Sequence, residues 1–140
     1  MYVEYCNFIF CKIIGGEIPS NTIYEDEDFK VILDVNPATK GHALLLPKEH
    51  YANLYEMEPT LLGKAVQVAQ KVIEHETKVL GCDGYNLVQN NGEVAGQTVF
   101  HFHMHLIPRY KDGKNETILT WAHEAFSGEE LKAICEEMKM

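Results

Sequence analysis

The chain has 140 residues, the length of one domain, and 46% of them are hydrophobic and 24% charged, which is typical of a globular protein and not of a disordered one. Twelve Lys and Arg against 21 Asp and Glu leave a formal net charge of −9, which argues against binding to a long polyanion but leaves a small phosphate ligand open. No apolar run approaches the roughly 20 residues that span a bilayer, and the acidic N-terminus is unlike a signal peptide. We therefore expect one domain over residues 1–140 in the cytoplasm, with reduced cysteines and no nucleic-acid or membrane partner.

Hydrophobic periodicity and turn residues predict the elements in chain order. Residues 8–14 are apolar and precede two glycines, so they form either a short helix or a buried strand. Strands are predicted at 22–25, 29–34, 42–47, 85–90 and 98–108, with the acidic cluster 25–28 as a turn between the first two. Residues 59–80 repeat apolar side chains at three- and four-residue spacing, which predicts one long helix that begins near Pro59 and ends at Gly81.

The C-terminal tail, residues 111–140, carries one further element. Ser127 and Glu130 have the spacing of a capping box, which predicts a short helix that ends at about Met138. The strands do not alternate with helices as they do in a parallel sheet. We therefore predict an α+β fold in which one long helix packs on an antiparallel five-stranded sheet.

The most informative segment carries His101, His103 and His105, separated by single apolar residues. On a strand, alternate side chains point to one face with Cα atoms about 6.6 Å apart. The three imidazoles are therefore expected to share one pocket, while the apolar residues between them face the other way. At this spacing their charge states should be coupled, because all three cannot readily be protonated together.

Three interpretations of this histidine row remain open at this point. It could bind a metal, it could perform nucleophilic and acid–base chemistry at phosphorus, or it could be a polar strand face. The preceding loop, Asn90 to Thr98, offers amide and hydroxyl donors and two glycines, which suits an anion, although an ordinary polar connection also fits. A second segment places Asp34 near a strand end and a fourth histidine, His42, at the start of the next strand.

Taken together, these segments resemble the histidine-triad (HIT) family of nucleotide hydrolases and transferases. Residues 101–107 match the family's His-φ-His-φ-His-φ-φ signature, where φ is apolar. The other matching segments are Phe10 to Pro19, Asp34 to His42, Pro47 to His50, Asn90 to Gly92 and Gly96 to Thr98. The resemblance covers residues 8–110 and is greatest to the branch of small phosphoramidase-like proteins; residues 111–140 add nothing to it.

The resemblance implies a mechanism and a role for each residue. His103 would attack the α-phosphorus of a purine nucleotide conjugate and form a nucleotidyl-histidine intermediate, with no cofactor required for catalysis. His105 and His42 would position and charge-balance the phosphate, and His101 would support the active strand. The implied contacts to the phosphate oxygens and the leaving group come from Asn90, Gly96, Gln97 and Thr98. Asp34 would contact the ribose hydroxyls, and the purine would lie between Phe8, Ile9 and Ile32. Relatives of this branch are typically homodimers in which two sheets join into one.

Two further functions stay open beside a phosphoramidase: a dinucleotide polyphosphate hydrolase, and a nucleotide- or metal-binding module without turnover. Some bacterial relatives bind zinc through a Cys-x-x-Cys pair and two histidines, but Phe8 occupies the first cysteine position here. Because a nearby cysteine could substitute for it, the candidate ligands of a structural zinc are Cys6, Cys11, His50 and His101.

Overall fold

The computed structural model describes residues 9–113 and 119–140, which form an antiparallel five-stranded sheet with a long helix on one face. Two short 3₁₀ turns, Leu54–Glu56 and Glu93–Ala95, lie in the connections. The main elements are α1 (Ile9–Ile14), β1 (Thr22–Glu25), β2 (Phe29–Leu33), β3 (Ala43–Pro47), α2 (Pro59–Leu80), β4 (Gly84–Val88), β5 (Met104–Arg109) and α3 (Gly128–Met138). The predicted α+β fold class is confirmed.

The strand order is β1-β2-β3-β5-β4, and each neighbouring pair is antiparallel. Four strands lie close to their predicted bounds, but β5 begins at Met104 and not at residue 98. Its pairing with β3 ends where Leu45 meets Met104. Pro47 lies two residues after Leu45 on β3 and has no backbone N–H to donate to a neighbouring strand. The Pro47 carbonyl accepts a hydrogen bond from His101 Nε2, at 2.8 Å. Residues 98–103 therefore leave the ladder and approach the 47–52 segment.

The long helix α2 follows from local signals at both ends. Pro59 occupies its first turn, and the Glu58 carboxylate accepts hydrogen bonds from the first free backbone N–H groups. Gly81 ends it with φ 66°, in the left-handed region where glycine is favoured. One stripe of α2 covers the sheet, and the buried residues of that stripe are Ala65, Val68, Ala69, Val72 and Glu76.

The opposite face of the sheet is covered by α1, so the first apolar segment is a helix and not a strand. Its buried residues Phe10 and Ile13 pack on Ile32, Leu44 and Leu46. The tail helix α3 has the predicted capping box, but none of its residues is buried. Among the described residues, no helix is both long and apolar enough to cross a membrane.

Candidate active site

Antiparallel pairing brings the predicted histidines to the sheet face that lies opposite α2. Ile32 of β2 pairs with Leu44 of β3, and Leu44 pairs with His105 of β5. Cross-strand partners point to the same side of an antiparallel sheet, so His105 shares its face with Ile32. Phe10 of α1 packs over the same face. The site therefore lies between α1 and the sheet.

Three imidazoles come together on this face. The ring centroid of His105 lies 5.2 Å from that of His42 and 5.2 Å from that of His103. The His101 ring instead contacts the His50 ring, at 5.1 Å between centroids. Of the expected row of three triad imidazoles, His103 and His105 lie beside His42, while the His101 ring packs against the rings of His50 and Phe10.

The backbone fixes where the proton sits on His42 and His105. The Ala38 N–H donates to His42 Nδ1 at 2.9 Å, so the neutral His42 ring must carry its hydrogen on Nε2. That Nε2 lies 2.9 Å from His105 Nδ1, which therefore accepts. The hydrogen of His105 is then on Nε2, at the end of the ring away from His42. This arrangement makes His105 a hydrogen-bond donor toward a ligand.

His103 is held in the opposite tautomer. Its Nδ1 lies 2.8 Å from the carbonyl oxygen of His101. A carbonyl can only accept, so Nδ1 carries the hydrogen and Nε2 keeps a lone pair. Phe10 packs its ring against that of His103, with centroids 4.9 Å apart, and His103 is 8% exposed. The result is an oriented imidazole whose Nε2 is ready to act as a nucleophile.

Burial keeps these rings neutral. It lowers the pKa of His103, although the hydrogen bond to the His101 carbonyl opposes the effect. It lowers the pKa of His105 to about 4, helped by the neighbouring His103 and His42. The pKa of His42 is also lowered by burial, against the attraction of the Asp34 carboxylate. At neutral pH the site therefore offers unprotonated imidazoles, which nucleophilic attack requires.

Asp34 follows directly on β2 and lies at the edge of the histidine group. Its Oδ2 is 3.5 Å from His42 Nε2, and its Oδ1 accepts from the Asn36 N–H at 2.8 Å. The backbone of Asp34 also donates to the His42 carbonyl, at 2.9 Å. A carboxylate so tied to the His42 loop can still accept hydrogen bonds from ligand hydroxyls through its remaining lone pairs.

In the loop before β5, the structure uses the donors of two of the four residues that the resemblance assigned to phosphate. The Gln97 side-chain nitrogen donates to the carbonyls of Ala52 and Val99, and the Gln97 and Gly96 N–H groups donate to those of Gly92 and Glu93. The Gln97 side-chain oxygen accepts from the Gly92 N–H. Gln97 is thus a residue that shapes the loop, since a phosphate contact would break one of these bonds.

The remaining loop residues keep groups that a ligand can use. Thr98 is exposed and Asn90 half-buried. A Cβ built at Gly96, whose φ is 94°, would lie 3.6 Å from the Asn90 amide nitrogen, so the two ends of the loop are adjacent. Among the residues with described positions, no hydrogen bond joins this loop to the histidines of the site.

The apolar residues expected around a purine differ in exposure. Ile32 is 3% exposed in the cluster under α1, whereas Ile9 is 50% exposed at the start of that helix. Phe8 lies outside the described residues. Ile32 therefore forms the floor of the histidine face, and Ile9 offers a free apolar surface beside it.

A second cluster forms around His101. Cys11 Sγ lies 3.5 Å from His50 Nδ1 and 3.4 Å from His101 Nδ1, and the two nitrogens are 3.1 Å apart. Because His101 Nε2 donates to the Pro47 carbonyl, its Nδ1 carries a lone pair directed at this cluster. Burial lowers the pKa of His101 to about 4, which keeps that lone pair free of a proton.

These distances fit a metal ion. A tetrahedral zinc with about 2.0 Å to nitrogen and about 2.3 Å to sulfur holds its ligand atoms roughly 3.3–3.6 Å apart. Cys6, the fourth candidate, lies outside the described residues. Cys11 is disulfide-bonded in this structure, contrary to the expectation of reduced cysteines, while Cys82 and Cys135 are free. Metal binding through Cys11 requires its reduced thiolate.

Sequence reasoning missed several groups that shape the site. Phe10 contacts both His101 and His103, with centroid distances of 6.3 and 4.9 Å, but its direction could not be known while helix and strand were both open. The Ala38 N–H and the His101 carbonyl are backbone groups that every residue has. Their roles arise from chain geometry, and no residue type signals them.

Comparison with known proteins gives consistent matches. The sequence matches the family model of the HIT domain over residues 15–112. An uncharacterized HIT-like protein of Methanocaldococcus jannaschii is 51% identical over 110 residues, which cover 79% of this chain and 84% of that protein. The adenosine 5'-monophosphoramidase of Schizosaccharomyces pombe is 38% identical over 130 residues, which cover 93% of this chain and 94% of that protein.

Solved structures are similar over nearly the whole chain. A HIT-family protein of Bacillus subtilis has a TM-score of 0.85 at 41% identity and covers 94% of both chains. A zinc-bound histidine triad family protein of Mycobacterium smegmatis has a TM-score of 0.73 at 35% identity, with 95% of this chain and 96% of that chain covered.

Proposed function

We propose that this chain, which belongs to the HIT family of nucleotide hydrolases, cleaves purine nucleoside phosphoramidates through a nucleotidyl-histidine intermediate on His103. The adenosine 5'-monophosphoramidase among its relatives supports this substrate class. The observation that carries the proposal is the hydrogen bond from His103 Nδ1 to the His101 carbonyl, at 2.8 Å. It leaves the Nε2 lone pair of a neutral, oriented ring for attack on phosphorus.

In the first step, His103 Nε2 forms a bond to the α-phosphorus while the P–N bond breaks and its electrons leave with the amine. The neutral histidines have no proton to spare, so the departing nitrogen leaves with a proton that the substrate brings. The positive charge gained by the ring is stabilised by its Nδ1–H bond to the His101 carbonyl. Water then attacks the same phosphorus, releases the nucleoside monophosphate and a proton, and restores neutral His103.

The surrounding residues take binding roles in this proposal. The Nε2–H of His105 donates to a phosphoryl oxygen, and His42 holds His105 in that tautomer. Asn90 and Thr98 donate to further phosphate oxygens, since the groups of Gly96 and Gln97 are used within the loop. Asp34 accepts from the ribose hydroxyls. The purine lies on the exposed apolar surface of Ile9, with the buried Ile32 in the layer beneath α1 and Phe8 as a further candidate.

Mass spectrometry of protein quenched during turnover tests the intermediate. With adenosine 5'-phosphoramidate as substrate, we expect an added mass of one adenylyl group on the peptide that holds residues 101–109. Quenched protein incubated with AMP alone is the control and should carry no adduct. Turnover without any adduct on that peptide would contradict His103 as the nucleophile.

Two alternative functions predict different results in substrate competition and in nucleotide binding. A dinucleotide polyphosphate hydrolase would favour diadenosine polyphosphate over the phosphoramidate in direct competition, and the ratio of kcat/KM would measure this. A nucleotide-binding module without turnover would bind AMP and release no amine. The neutral, tautomer-fixed pair of His103 and His105 favours turnover, because binding alone does not need an oriented lone pair.

We also propose that the chain forms a homodimer through its β4 edge. β4 ends the strand order, so one row of its backbone groups has no sheet partner among the described residues. Leu87 of this strand is 48% exposed. It pairs with the buried Leu106 and therefore lies on the same side of the sheet as α2. An open edge with an exposed apolar residue suits pairing with a second copy of the same strand.

We further propose a structural zinc bound by Cys11, His50 and His101 in the reduced protein, with Cys6 as the candidate fourth ligand. The three described ligand atoms have the mutual distances of a tetrahedral site. The zinc-bound relative from Mycobacterium smegmatis supports this assignment. When bound, the metal would supply structural cross-linking between α1 and the loops that hold His101.

Native mass spectrometry after reduction tests both assembly and metal. We expect the mass of two chains with one zinc per chain for protein purified without chelator. His50→Ala should lose the zinc, whereas His75→Ala, which alters an exposed helix position, should keep it. A single-chain mass would contradict the dimer, and reduced protein without zinc would contradict the metal site.

A further inference from the structure

One residue in the buried stripe of α2 does not fit the apolar pattern of that stripe. Buried residues recur at helical spacing along this stripe, and the last of them is Glu76, which is 7% exposed. A fully packed helix would place an apolar side chain there. Among the described residues, neither the buried Glu76 Oε1 nor the buried Tyr85 hydroxyl makes a well-formed hydrogen bond. The two groups are nevertheless neighbours, since the Tyr85 hydroxyl opposes the rise in the pKa of Glu76 that burial causes. A buried carboxyl that is incompletely satisfied destabilises the fold, and such local conflicts are typical of functional positions.

Glu76 lines a cavity of about 700 Å³ on the α2 side of the sheet, away from the histidines. The cavity lies between α2 and the β1–β2 hairpin, and its walls are mainly apolar, with Leu33, Val72 and Leu80 among them. A cavity of this size holds a small organic molecule. The apolar walls favour an apolar body, and the open lone pairs of Glu76 favour a hydrogen-bond donor on it.

Positive charge surrounds the solvent side of the same cavity. Lys40 and Lys71 line it and are both exposed, as is His75. The Lys71 ammonium lies 5.2 Å from the centroid of the Tyr24 ring, which also lines the cavity. The polar groups are therefore arranged by depth, with a carboxyl acceptor inside and cations outside. A ligand with an anionic group at its outer end matches this order.

The cavity is also close to the loop that holds His42. Gly41 lines the cavity and has φ 93°, so only glycine is readily accommodated there. A Cβ at this position would lie 2.8 Å from Glu76 Oε2 and would collide with Leu80. The backbone directly before His42 thus packs on the Glu76 carboxyl.

We propose that this cavity is a second small-molecule site, which binds aromatic anions that carry a ring N–H. The N–H donates to the Glu76 carboxyl, the ring lies between Leu33, Val72 and Leu80, and the anionic group lies near Lys40 and Lys71. The site lies on the other side of the sheet from the histidine face, and its lining residues Leu33 and Gly41 directly precede Asp34 and His42 of that face.

Three probes of one shape test the proposal by isothermal titration. Indole-3-acetate has both the N–H and the anion, 1-methylindole-3-acetate lacks the N–H, and tryptamine carries a cation in place of the anion. We expect indole-3-acetate to bind at least about tenfold more tightly than either analogue, since each loses one polar contact. AMP in excess should not displace it. Equal affinity for the first two probes, no binding of any probe, or displacement by AMP would each overturn the proposal.

Variants of two glutamates on α2 provide the matched comparison. Glu76→Leu should bind the indole and methylindole probes with equal affinity, and a thermal unfolding scan checks that the variant is folded, because the change also removes the carboxyl beside the buried Tyr85 hydroxyl. Glu74→Leu makes the same change at an exposed position outside the cavity and should keep the preference of the unchanged chain. Should Glu76→Leu fail to fold, the comparison of the three probes on the unchanged chain still decides the matter. A preference that persists in folded Glu76→Leu would contradict the assigned role of the carboxyl.

Discussion

His103→Ala should lower kcat for adenosine 5'-phosphoramidate by more than about 1000-fold while AMP affinity changes by only a few-fold. In the proposed mechanism the His103 lone pair forms the bond to phosphorus, whereas the proposed nucleotide contacts come from other residues. Steady-state kinetics with titration of AMP measures the two effects separately. The truncated side chain leaves a cavity beside Phe10, so a thermal unfolding scan should accompany the kinetics.

Two comparison variants sharpen this test. His75→Ala removes an exposed histidine of α2 and should keep the unchanged kcat. His105→Ala should reduce kcat less than His103→Ala does, because His105 donates a hydrogen bond and does not form the covalent bond. Wild-type kcat in folded His103→Ala would exclude the proposed intermediate, and an equal loss in His75→Ala would show that the effect is not specific to His103.

Acidification should destabilise the protein steeply as the pH falls from about 6.5 toward 4. Burial lowers the pKa of His101 and of His105 to about 4, while an unfolded histidine titrates near 6.5. Between these values the unfolded state binds protons that the folded state does not, so stability is complete above about pH 6.5 and is lost on descent. Each such histidine contributes a slope of roughly 1.4 kcal/mol per pH unit, an upper value for the partly exposed His105.

Urea unfolding at pH values from about 7 to 5 measures this slope before most carboxylates titrate. His105→Asn should make the dependence shallower by about one proton. His123→Gln, at an exposed tail position, should leave the slope unchanged. A free energy of unfolding that stays constant over this pH range would show that the buried rings accept protons without cost, contrary to the structure.

The parts of the fold that depend on neighbouring residues were predictable from the sequence. The bounds of α2 follow from Pro59 and Gly81, and the start of α3 follows from the Ser127 capping box. In both helices a few local side chains satisfy or terminate the backbone hydrogen bonds, so no tertiary information is needed. The alternation of histidines likewise predicted an extended segment, and His105 does lie on the sheet face opposite α2.

The parts that depend on distant contacts were not predictable in this way. The start of β5 was placed six residues early, because the end of its ladder is set by Pro47 on a different strand. The loop role of Gln97 depends on the Ala52 carbonyl, and the tautomer of His42 depends on the Ala38 backbone. Residue type reveals that a side chain can donate a hydrogen bond, but tertiary structure decides which acceptor receives it.

His101 belongs to two centres at once. Its carbonyl accepts a hydrogen bond from His103 Nδ1, while its ring faces Cys11 and His50. A shift of the His101 ring, for example when the disulfide of Cys11 is reduced, would also move the peptide whose carbonyl orients His103. We therefore expect the redox state of Cys11 to affect the orientation of His103 through this one residue.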